Sequence, residues 1–286
     1  VVHAYPGAAN GVRPWRFRMS KTVVLIHGAC AGGWCFDAFA DELRSRGWTC
    51  HAPDLRYHGA PNPNPEAKLA ETSLADYTHD MSYFVERLDT QPLIIGHSMG
   101  GLIAQKLAER GLARGLVLLS SCAPWGVLPA TDAERELARN LMGAGRLWTQ
   151  TLQPSFEYAR QDSLASLDAE TQRAVFDKLG PESGRAMFEL FFWMFDDTRA
   201  SAVEAARVRC PVLVVAGSDD KIVSAATGRK IAQLYGRLGM FHEVKGRGHM
   251  LPVEPGVPEL AGMCADWMAD GLGRRAGRES LKAGRL

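Results

Sequence analysis

Apolar positions along this chain alternate between short continuous runs and longer stretches with helical spacing. The runs Thr22–Ile26, Pro92–Ile95, Gly115–Ser121 and Pro211–Ala216 have the length of a strand and are mostly β-branched or aliphatic. Such runs are typical of strands buried on both faces of a parallel sheet, because a half-exposed strand would alternate polar and apolar residues. The pattern therefore predicts a sheet with at least these strands, and shorter strands are predicted at Trp48–Pro53 and Met240–Val244.

Between these runs, apolar side chains recur every three to four residues, as they do on one face of a helix. A helix is predicted over Trp34–Arg46, where Gly47 provides a stop signal, and another over Ser73–Leu88. Further helices are predicted after the strand at 92–95, over Ala225–Tyr235 and over Glu254–Ala269. Strands that alternate with helices predict an α/β fold, with a mostly parallel central sheet flanked by helices.

The alternation is interrupted in the middle of the chain. Residues 124–206 keep helical spacing, contain no strand pattern and are rich in aromatic and methionine side chains. Helices inserted between two strands of a sheet are typical of a lid above a ligand site. We expect residues 21–123 and 207–270 to form the core and residues 124–206 to form a helical lid, with some of its apolar side chains facing a pocket.

The two ends of the chain differ in composition from the rest. Residues 1–20 are expected to be an N-terminal extension, although Val12–Arg18 has the alternation of a short edge strand, and residues 271–286 are expected to be a tail. No apolar stretch reaches the roughly 20 residues of a membrane span, and residues 1–6 lack the order of a signal peptide. A cytoplasmic protein is the resulting expectation.

Composition narrows the classes of partner. The chain has 286 residues, of which 46% are hydrophobic, so it is long enough for a sizeable core. A formal net charge of +1 gives no reason to expect a nucleic acid or another polyanion, and a small neutral ligand fits better. The six cysteines are scattered without a C-x-x-C pair, so we expect reduced, mostly buried thiols, and no disulfide, metal or cofactor.

One motif follows the strand at 92–95 and leads into a helix. Gly96-His97-Ser98-Met99-Gly100 is a G-x-S-x-G sequence, the pattern of a nucleophile elbow. The glycines have a steric reason, because side chains two residues from a serine on a tight strand-to-helix turn would collide with it. The motif is common by chance, but its position between a strand and a helix favours Ser98 as a nucleophile. The Met99 N–H is then a candidate oxyanion donor.

The loop after the first strand provides a candidate for the second oxyanion donor. It reads His27-Gly28-Ala29 and continues with two more glycines before a tryptophan, so its backbone can turn toward Ser98. The N–H of Ala29 is our candidate. In the alternative interpretation, this loop only ends a strand and caps the next helix. His27 itself is expected to be a structural loop residue.

An acid and a base are expected at the carboxyl ends of later strands, the edge where ligands bind in open α/β sheets. The strand at 115–121 has no acid at its end, whereas the strand at 211–216 leads into Asp219 and Asp220. We choose Asp220, the fourth residue of a G-x-x-D sequence, and Asp219 stays open as the alternative. His249 lies in a glycine-flanked loop after the last strand and completes the chain order Ser, Asp, His. Asp54 and His58 are expected to stabilise their loop by hydrogen bonds or a salt bridge.

Together these residues resemble the α/β-hydrolase fold superfamily, over residues 21–270, and its serine esterases and lipases in particular. The loop from His27 also looks like that of the plant-type methylesterase and hydroxynitrile lyase branch. Ala29 stands where hydroxynitrile lyases have a hydroxyl side chain, which disfavours cyanohydrin chemistry. A serine at position 98 argues against dehalogenases and epoxide hydrolases, which need a carboxylate nucleophile. Tyr57 replaces the usual glycine of a D-x-R-G-x-G loop.

The resemblance and the candidate residues imply a serine hydrolase that cleaves a carboxylic ester of a small or medium apolar substrate through an acyl-enzyme. A carbon–carbon bond hydrolase that acts on a diketone or a ring-cleavage product would use the same residues. A hydrolase fold that only binds a ligand, with little turnover, is a third interpretation. Nothing in the sequence indicates the acyl or alcohol preference or the oligomeric state.

Overall fold

The computed structural model describes residues 21–59, 66–143 and 145–270. The predicted extension, its edge strand Val12–Arg18 and the predicted tail lie outside these residues. The strands in chain order are β1 (Thr22–Ile26), β2 (Thr49–His51), β3 (Leu93–His97), β4 (Leu116–Leu119), β5 (Thr151–Leu152), β6 (Glu182–Ser183), β7 (Val212–Gly217) and β8 (Gly239–Val244). The α-helices are α1 (Asp37–Ser45), α2 (Glu66–Ala70), α3 (Leu74–Glu86), α4 (Met99–Glu109), α5 (Asp132–Met142), α6 (Phe156–Gln161), α7 (Ala169–Phe176), α8 (Gly184–Phe191), α9 (Ala225–Leu234) and α10 (Val257–Ala269).

The main sheet has six strands in the order β2-β1-β3-β4-β7-β8, and each neighbouring pair is parallel. The chain moves outward from β1 to β2 and then returns to the other side of β1 with β3. This reversal places the loops after β1 and β3 side by side at the carboxyl edge, where α/β sheets bind ligands. The predicted α/β fold with a parallel central sheet is confirmed.

Successive residues of the central strands point to opposite faces of the sheet, as strand geometry requires. Val24 and Ile26 of β1 pack into a cluster with α3, α4 and α9, whereas Val23 and Leu25 pack into a second cluster with α1 and α10. Both clusters are closed to solvent, which explains why these strands are apolar at every position.

Several predicted boundaries change in the structure. The helix predicted from Trp34 begins with a 3-10 turn before α1, the strand predicted at 48–53 is only three residues long, and α2 lacks a sequence signal. The last helix begins at Val257, not at Glu254. Gly256 has φ +80°, which ends any helix before it, and the Glu254 carboxylate accepts the Gly248 N–H.

The inserted segment, residues 124–206, connects β4 to β7. The expectation of helices without strands is wrong here, because β5 and β6 pair antiparallel through Thr151↔Ser183 and Leu152↔Glu182. A two-residue ladder is too short to produce a hydrophobic pattern. Its position depends on contacts distant in sequence, such as the hydrogen bond that the Ser183 hydroxyl donates to the Thr72 carbonyl.

Candidate active site

Ser98 lies in the turn between β3 and α4, with φ +51° and ψ −119°. A residue with a side chain rarely adopts a positive φ, and such strain is common at functional sites. The turn requires close backbone packing, since a Cβ on Gly100 would lie 2.2 Å from the Ile26 carbonyl oxygen. The following residue, Met99, begins α4, so its N–H belongs to the first turn, where a helix has no internal acceptor.

Ser98, His249 and Asp220 form a continuous chain of hydrogen bonds. The Ser98 Oγ lies 3.0 Å from His249 Nε2, and His249 Nδ1 lies 3.0 Å from Asp220 Oδ2. A carboxylate only accepts, so Nδ1 carries the ring hydrogen and Nε2 accepts the Ser98 hydroxyl. All three side chains are buried, with residue exposures of 7%, 4% and 6% for Ser98, His249 and Asp220. The structure therefore brings together the three residues that the sequence nominates.

The structure also distinguishes between the two candidate acids, Asp219 and Asp220, by what each carboxylate faces. Burial alone would raise the pKa of Asp220, but the facing His249 ring and the backbone N–H groups that its carboxylate accepts hold the pKa below its ordinary value. The N–H donors are those of Ile222 and Val223, both at 2.9 Å. The exposed Asp219 carboxylate instead accepts the Ser218 hydroxyl. The ionised group that faces the imidazole is thus Asp220.

His97, inside the G-x-S-x-G motif, holds the backbone of the histidine loop. Its Nε2 donates to the His249 carbonyl at 2.8 Å, and the two rings lie 5.0 Å apart. Burial and the neighbouring His249 lower the pKa of His97 to about 3, so the ring is neutral at ordinary pH. This contact was not expected from the sequence, because the position between Gly96 and Ser98 can be any residue in the G-x-S-x-G motif.

The loop after β1 approaches Ser98 closely. A Cβ on Gly28 would lie 2.9 Å from the Ser98 Cβ, which brings the next residue, Ala29, beside the serine. His27 orients this loop: its Nε2 accepts the Leu55 N–H, so its Nδ1 carries the hydrogen and donates to the Gly28 carbonyl at 2.8 Å. Burial, followed by the charge of a nearby histidine, lowers the pKa of His27 to about 4. His27 is a neutral structural residue, as expected.

A buried carboxylate from the inserted segment contacts the same loop. Glu182 Oε2 accepts the Cys30 N–H and pairs with His58 Nε2, both at 3.0 Å, and Oε1 accepts the Tyr77 hydroxyl at 2.7 Å. His58 was expected to stabilise its own loop, and its Nδ1 does donate to the Arg56 carbonyl there at 3.1 Å, but its salt bridge is to the distant Glu182. Asp54 accepts the Gly33 N–H at 2.7 Å. Glu182 was not identified from the sequence, because 152 residues separate it from Cys30.

A small, mostly apolar cavity of about 70 Å³ lies next to Cys122, a residue in contact with the serine. Cys122, whose Sγ lies 3.7 Å from the Ser98 Oγ, is one of its lining residues. The inserted segment contributes apolar side chains to its wall, including Val127, Leu190, Phe191 and Trp193. Some aromatic residues of the segment therefore do face a pocket. The arrangement places a hydroxyl, a base and an apolar compartment next to one another.

All six cysteines are free thiols in the structure. Within residues 21–59, 66–143 and 145–270, no group of three or more acidic, histidine or cysteine side chains has the arrangement of a metal site. In the same part of the chain, no helix is both long enough and apolar enough to cross a membrane.

Comparisons with known proteins show the family of this chain. The family described as the alpha/beta hydrolase family matches residues 23–259. A pyrethroid hydrolase of Sphingobium wenxiniae is 34% identical over 113 residues, which are 38% of this chain and 39% of that protein. A methyl jasmonate esterase of Vitis vinifera is 34% identical over 95 residues, 32% of this chain and 35% of that protein. The matched part thus spans less than half the length of these curated relatives.

A solved structure extends the likeness to nearly the whole fold. The crystal structure of a methylesterase from Arabidopsis superposes with a TM-score of 0.67 at 14% identity, over 87% of this chain and 99% of the other. At this identity the likeness concerns the fold alone.

Proposed function

Because the chain belongs to the alpha/beta hydrolase family, as its motifs predict, we propose that it is a serine esterase that hydrolyses a carboxylic ester through an acyl-enzyme. The observation that carries this proposal is the buried hydrogen-bonded chain from Ser98 through His249 to Asp220. Relatives named as ester hydrolases, such as the methyl jasmonate esterase, support it.

In the proposed acylation step, the Ser98 oxygen attacks the ester carbonyl carbon while its proton moves to His249 Nε2. Asp220 stabilises the imidazolium that forms and keeps its Nδ1–H oriented. The carbonyl oxygen becomes an oxyanion, and the N–H groups of Met99 and Ala29 are its proposed donors. Met99 also lies at the positive end of the α4 dipole, which favours negative charge.

The tetrahedral intermediate then collapses. His249 gives its proton to the leaving alcohol oxygen as the carbon–oxygen bond breaks, which leaves Ser98 acylated. In deacylation, His249 takes a proton from water as the water oxygen attacks the acyl carbon. The second intermediate releases the carboxylic acid and returns the proton to Ser98. No metal or cofactor is needed for either half of this reaction.

The proposed substrate is an ester with a small or medium apolar group. The cavity beside Ser98 is small, and Leu190, Phe191 and Trp193 give it apolar walls. Residues 124–206 would then act as the lid of the active site, and the remaining described residues would form the core of the fold.

Replacement of Ser98 by alanine tests the proposal. Wild-type protein should hydrolyse p-nitrophenyl acetate or butyrate and become labelled by a fluorophosphonate, whereas Ser98→Ala should do neither and should keep its circular dichroism spectrum. Turnover by folded Ser98→Ala at a rate near that of wild type would overturn the assignment. A panel that includes a diketone would show whether the same serine prefers carbon–carbon bond cleavage.

A further inference from the structure

We infer that Glu182, paired with His58, is a positioning residue for the loop after β1, residues 27–33, which we call the oxyanion loop. Glu182 holds this loop so that the Ala29 N–H can donate to the oxyanion, and the inserted segment thereby completes the active site. The inference rests on the proposed function, because it concerns the donor at Ala29. Neither residue contacts Ser98 or His249 in the structure, so both would act through the loop.

Cys30 is the point where the inserted segment contacts this loop. Its φ is +63°, a region that costs energy for a residue with a Cβ and persists only where surrounding contacts impose it. The Cys30 N–H donates to Glu182 Oε2 at 3.0 Å, and the Cys30 carbonyl accepts the Gly180 N–H at 2.8 Å. Both peptide groups of this strained residue are therefore held by the segment that contains β6.

The contact constrains the neighbouring donor, Ala29. The Gly28 carbonyl and the Ala29 N–H belong to one planar peptide, and His27 fixes that peptide through the Gly28 oxygen. Glu182 fixes the next peptide through the Cys30 N–H. The Ala29 dihedrals are thereby determined from both sides. The Cys30 N–H is already used by Glu182, which leaves Ala29 as the loop donor that can face an oxyanion beside Ser98.

The carboxylate is completely saturated by donors. Oε1 accepts the Tyr77 hydroxyl and the Ser183 N–H at 2.7 Å, and Oε2 accepts the Cys30 N–H and contacts His58 Nε2 at 3.0 Å. A glutamine cannot replace this group, because its NH₂ donates and accepts nothing. An amide at this position would leave one buried backbone N–H, that of Cys30 or that of Ser183, facing another donor.

Charge compensation explains why a histidine is the fourth partner. Burial alone would raise the pKa of Glu182 and lower that of His58, but their mutual attraction and hydrogen bonds outweigh it in both residues, so the pKa of Glu182 is lowered and that of His58 is raised. The exposed fraction of the side chain is 0% for Glu182 and 1% for His58. An isolated carboxylate here would repel the oxyanion that forms nearby, and His58, whose raised pKa favours its protonated form, offsets that repulsion.

Glu189 is a matched control within the same inserted segment. It is also buried, and its carboxylate accepts the Leu74 N–H at 2.7 Å. Leu74 begins α3 and is not part of the loop after β1. Glu189→Gln therefore makes the same chemical change, in the same segment, at the same kind of bond, without touching the oxyanion loop.

The experiment compares Glu182→Gln with Glu189→Gln in the full chain, with a p-nitrophenyl ester as substrate and a trifluoromethyl ketone as inhibitor. The ketone forms an anionic tetrahedral adduct with a serine, so its affinity reports oxyanion binding. We expect Glu182→Gln to lower kcat by on the order of tenfold or more, with KM nearly unchanged. Its affinity for the ketone should fall by a similar factor. Glu189→Gln should keep both quantities within about twofold.

Equal losses in the two variants, or an unchanged kcat and ketone affinity in Glu182→Gln, would overturn the inference while Ser98→Ala stays inactive. Wild-type protein that neither turns over esters nor reacts with a fluorophosphonate would instead overturn the proposed function. If Glu182→Gln does not fold, His58→Gln decides the question, because it removes the compensating charge and keeps the carboxylate. A His58→Gln variant with wild-type kcat and ketone affinity would then contradict the inference.

Discussion

The sheet core and the inserted segment differ in how far polar contacts supplement the apolar packing that holds them in place. The core consists of a parallel ladder of six strands between two apolar clusters. The inserted segment packs Ala186, Leu190 and Ala200 into one of these clusters. It also contacts the core through buried carboxylates that accept backbone N–H groups: Glu134 accepts from Ser224 at 3.0 Å, Glu182 from Cys30 and Glu189 from Leu74.

This difference changes how each region should respond to substitution. Apolar burial is spread over many side chains, so the core tolerates conservative changes except where two backbones touch. The carboxylate contacts are few and directional, and the loss of one leaves a buried N–H unsatisfied, at a cost of about 1–3 kcal/mol. The core therefore determines whether the chain folds, and each carboxylate fixes the backbone N–H that it faces.

The largest expected effect concerns the proposed chemistry, which lies entirely on core loops. Asp220→Asn should lower kcat by on the order of 10³-fold, because an amide facing His249 Nδ1 favours the wrong ring tautomer. Asp219→Asn should lower it less than about threefold, since that carboxylate is exposed and faces Ser218. Steady-state kinetics on a p-nitrophenyl ester checks both. A larger loss at Asp219 would show that the acid is misassigned.

The next effect compares a glycine from each region. Gly100→Ala should lower the free energy of unfolding by more than about 3 kcal/mol or prevent folding, because its Cβ would lie 2.2 Å from the Ile26 carbonyl oxygen. Gly180→Ala, in the inserted segment, should change it by less than about 1 kcal/mol, because nothing lies within 4 Å of the added Cβ. Urea unfolding monitored by tryptophan fluorescence measures both. Similar losses would contradict the distinction between the two regions.

The smallest expected effect is the pH dependence that the Glu182–His58 ion pair, which joins the two regions, gives to the free energy of unfolding. Glu182, Tyr77, His27 and Asp54 surround His58, and its raised pKa means that folding favours its protonated form. Its contribution to stability is complete below the ordinary histidine value of 6.5 and is lost as pH rises through the higher folded pKa. The lowered pKa of Glu182 adds stability above the ordinary value of 4.5, which is lost at lower pH.

The pair should therefore stabilise the protein most between pH 4.5 and 6.5. The difference in unfolding free energy between wild type and His58→Gln should be greatest in that window and should fall toward pH 9. Urea titrations at several pH values measure this difference. A difference that does not vary with pH would contradict the ion pair.

The fold was predictable because each buried strand of the core has its own apolar run, as in β1, β3 and β7. Ser98 and His249 were identifiable because glycines surround them in strand-to-helix and strand-to-loop connections. Their catalytic roles stay predictions until variants are measured. Asp219 and Asp220 are neighbours in one turn, and a sequence pattern does not determine which of two adjacent side chains in a turn faces the histidine.

The residues that sequence reasoning missed have no local signal. Glu182 reads as an ordinary charged residue, yet folding buries it completely among donors from three distant segments. His97 looks like a variable position of the motif, and its bond to the His249 carbonyl exists only once β3 and the histidine loop meet. The strands β5 and β6 are likewise defined by tertiary contacts and not by a pattern of two residues.

The direct pairing of β4 with β7, at Leu116↔Val212 for example, has an evolutionary consequence. The inserted segment leaves the sheet from one strand and returns in its immediate neighbour, so its length and sequence are not constrained by the spacing of the core. A segment of different size or shape can be exchanged there by recombination without a change in any strand register. Because residues 124–206 are the proposed lid, we expect exchange of this segment to change the substrate preference of this chain, as long as an acceptor for the Cys30 N–H is retained.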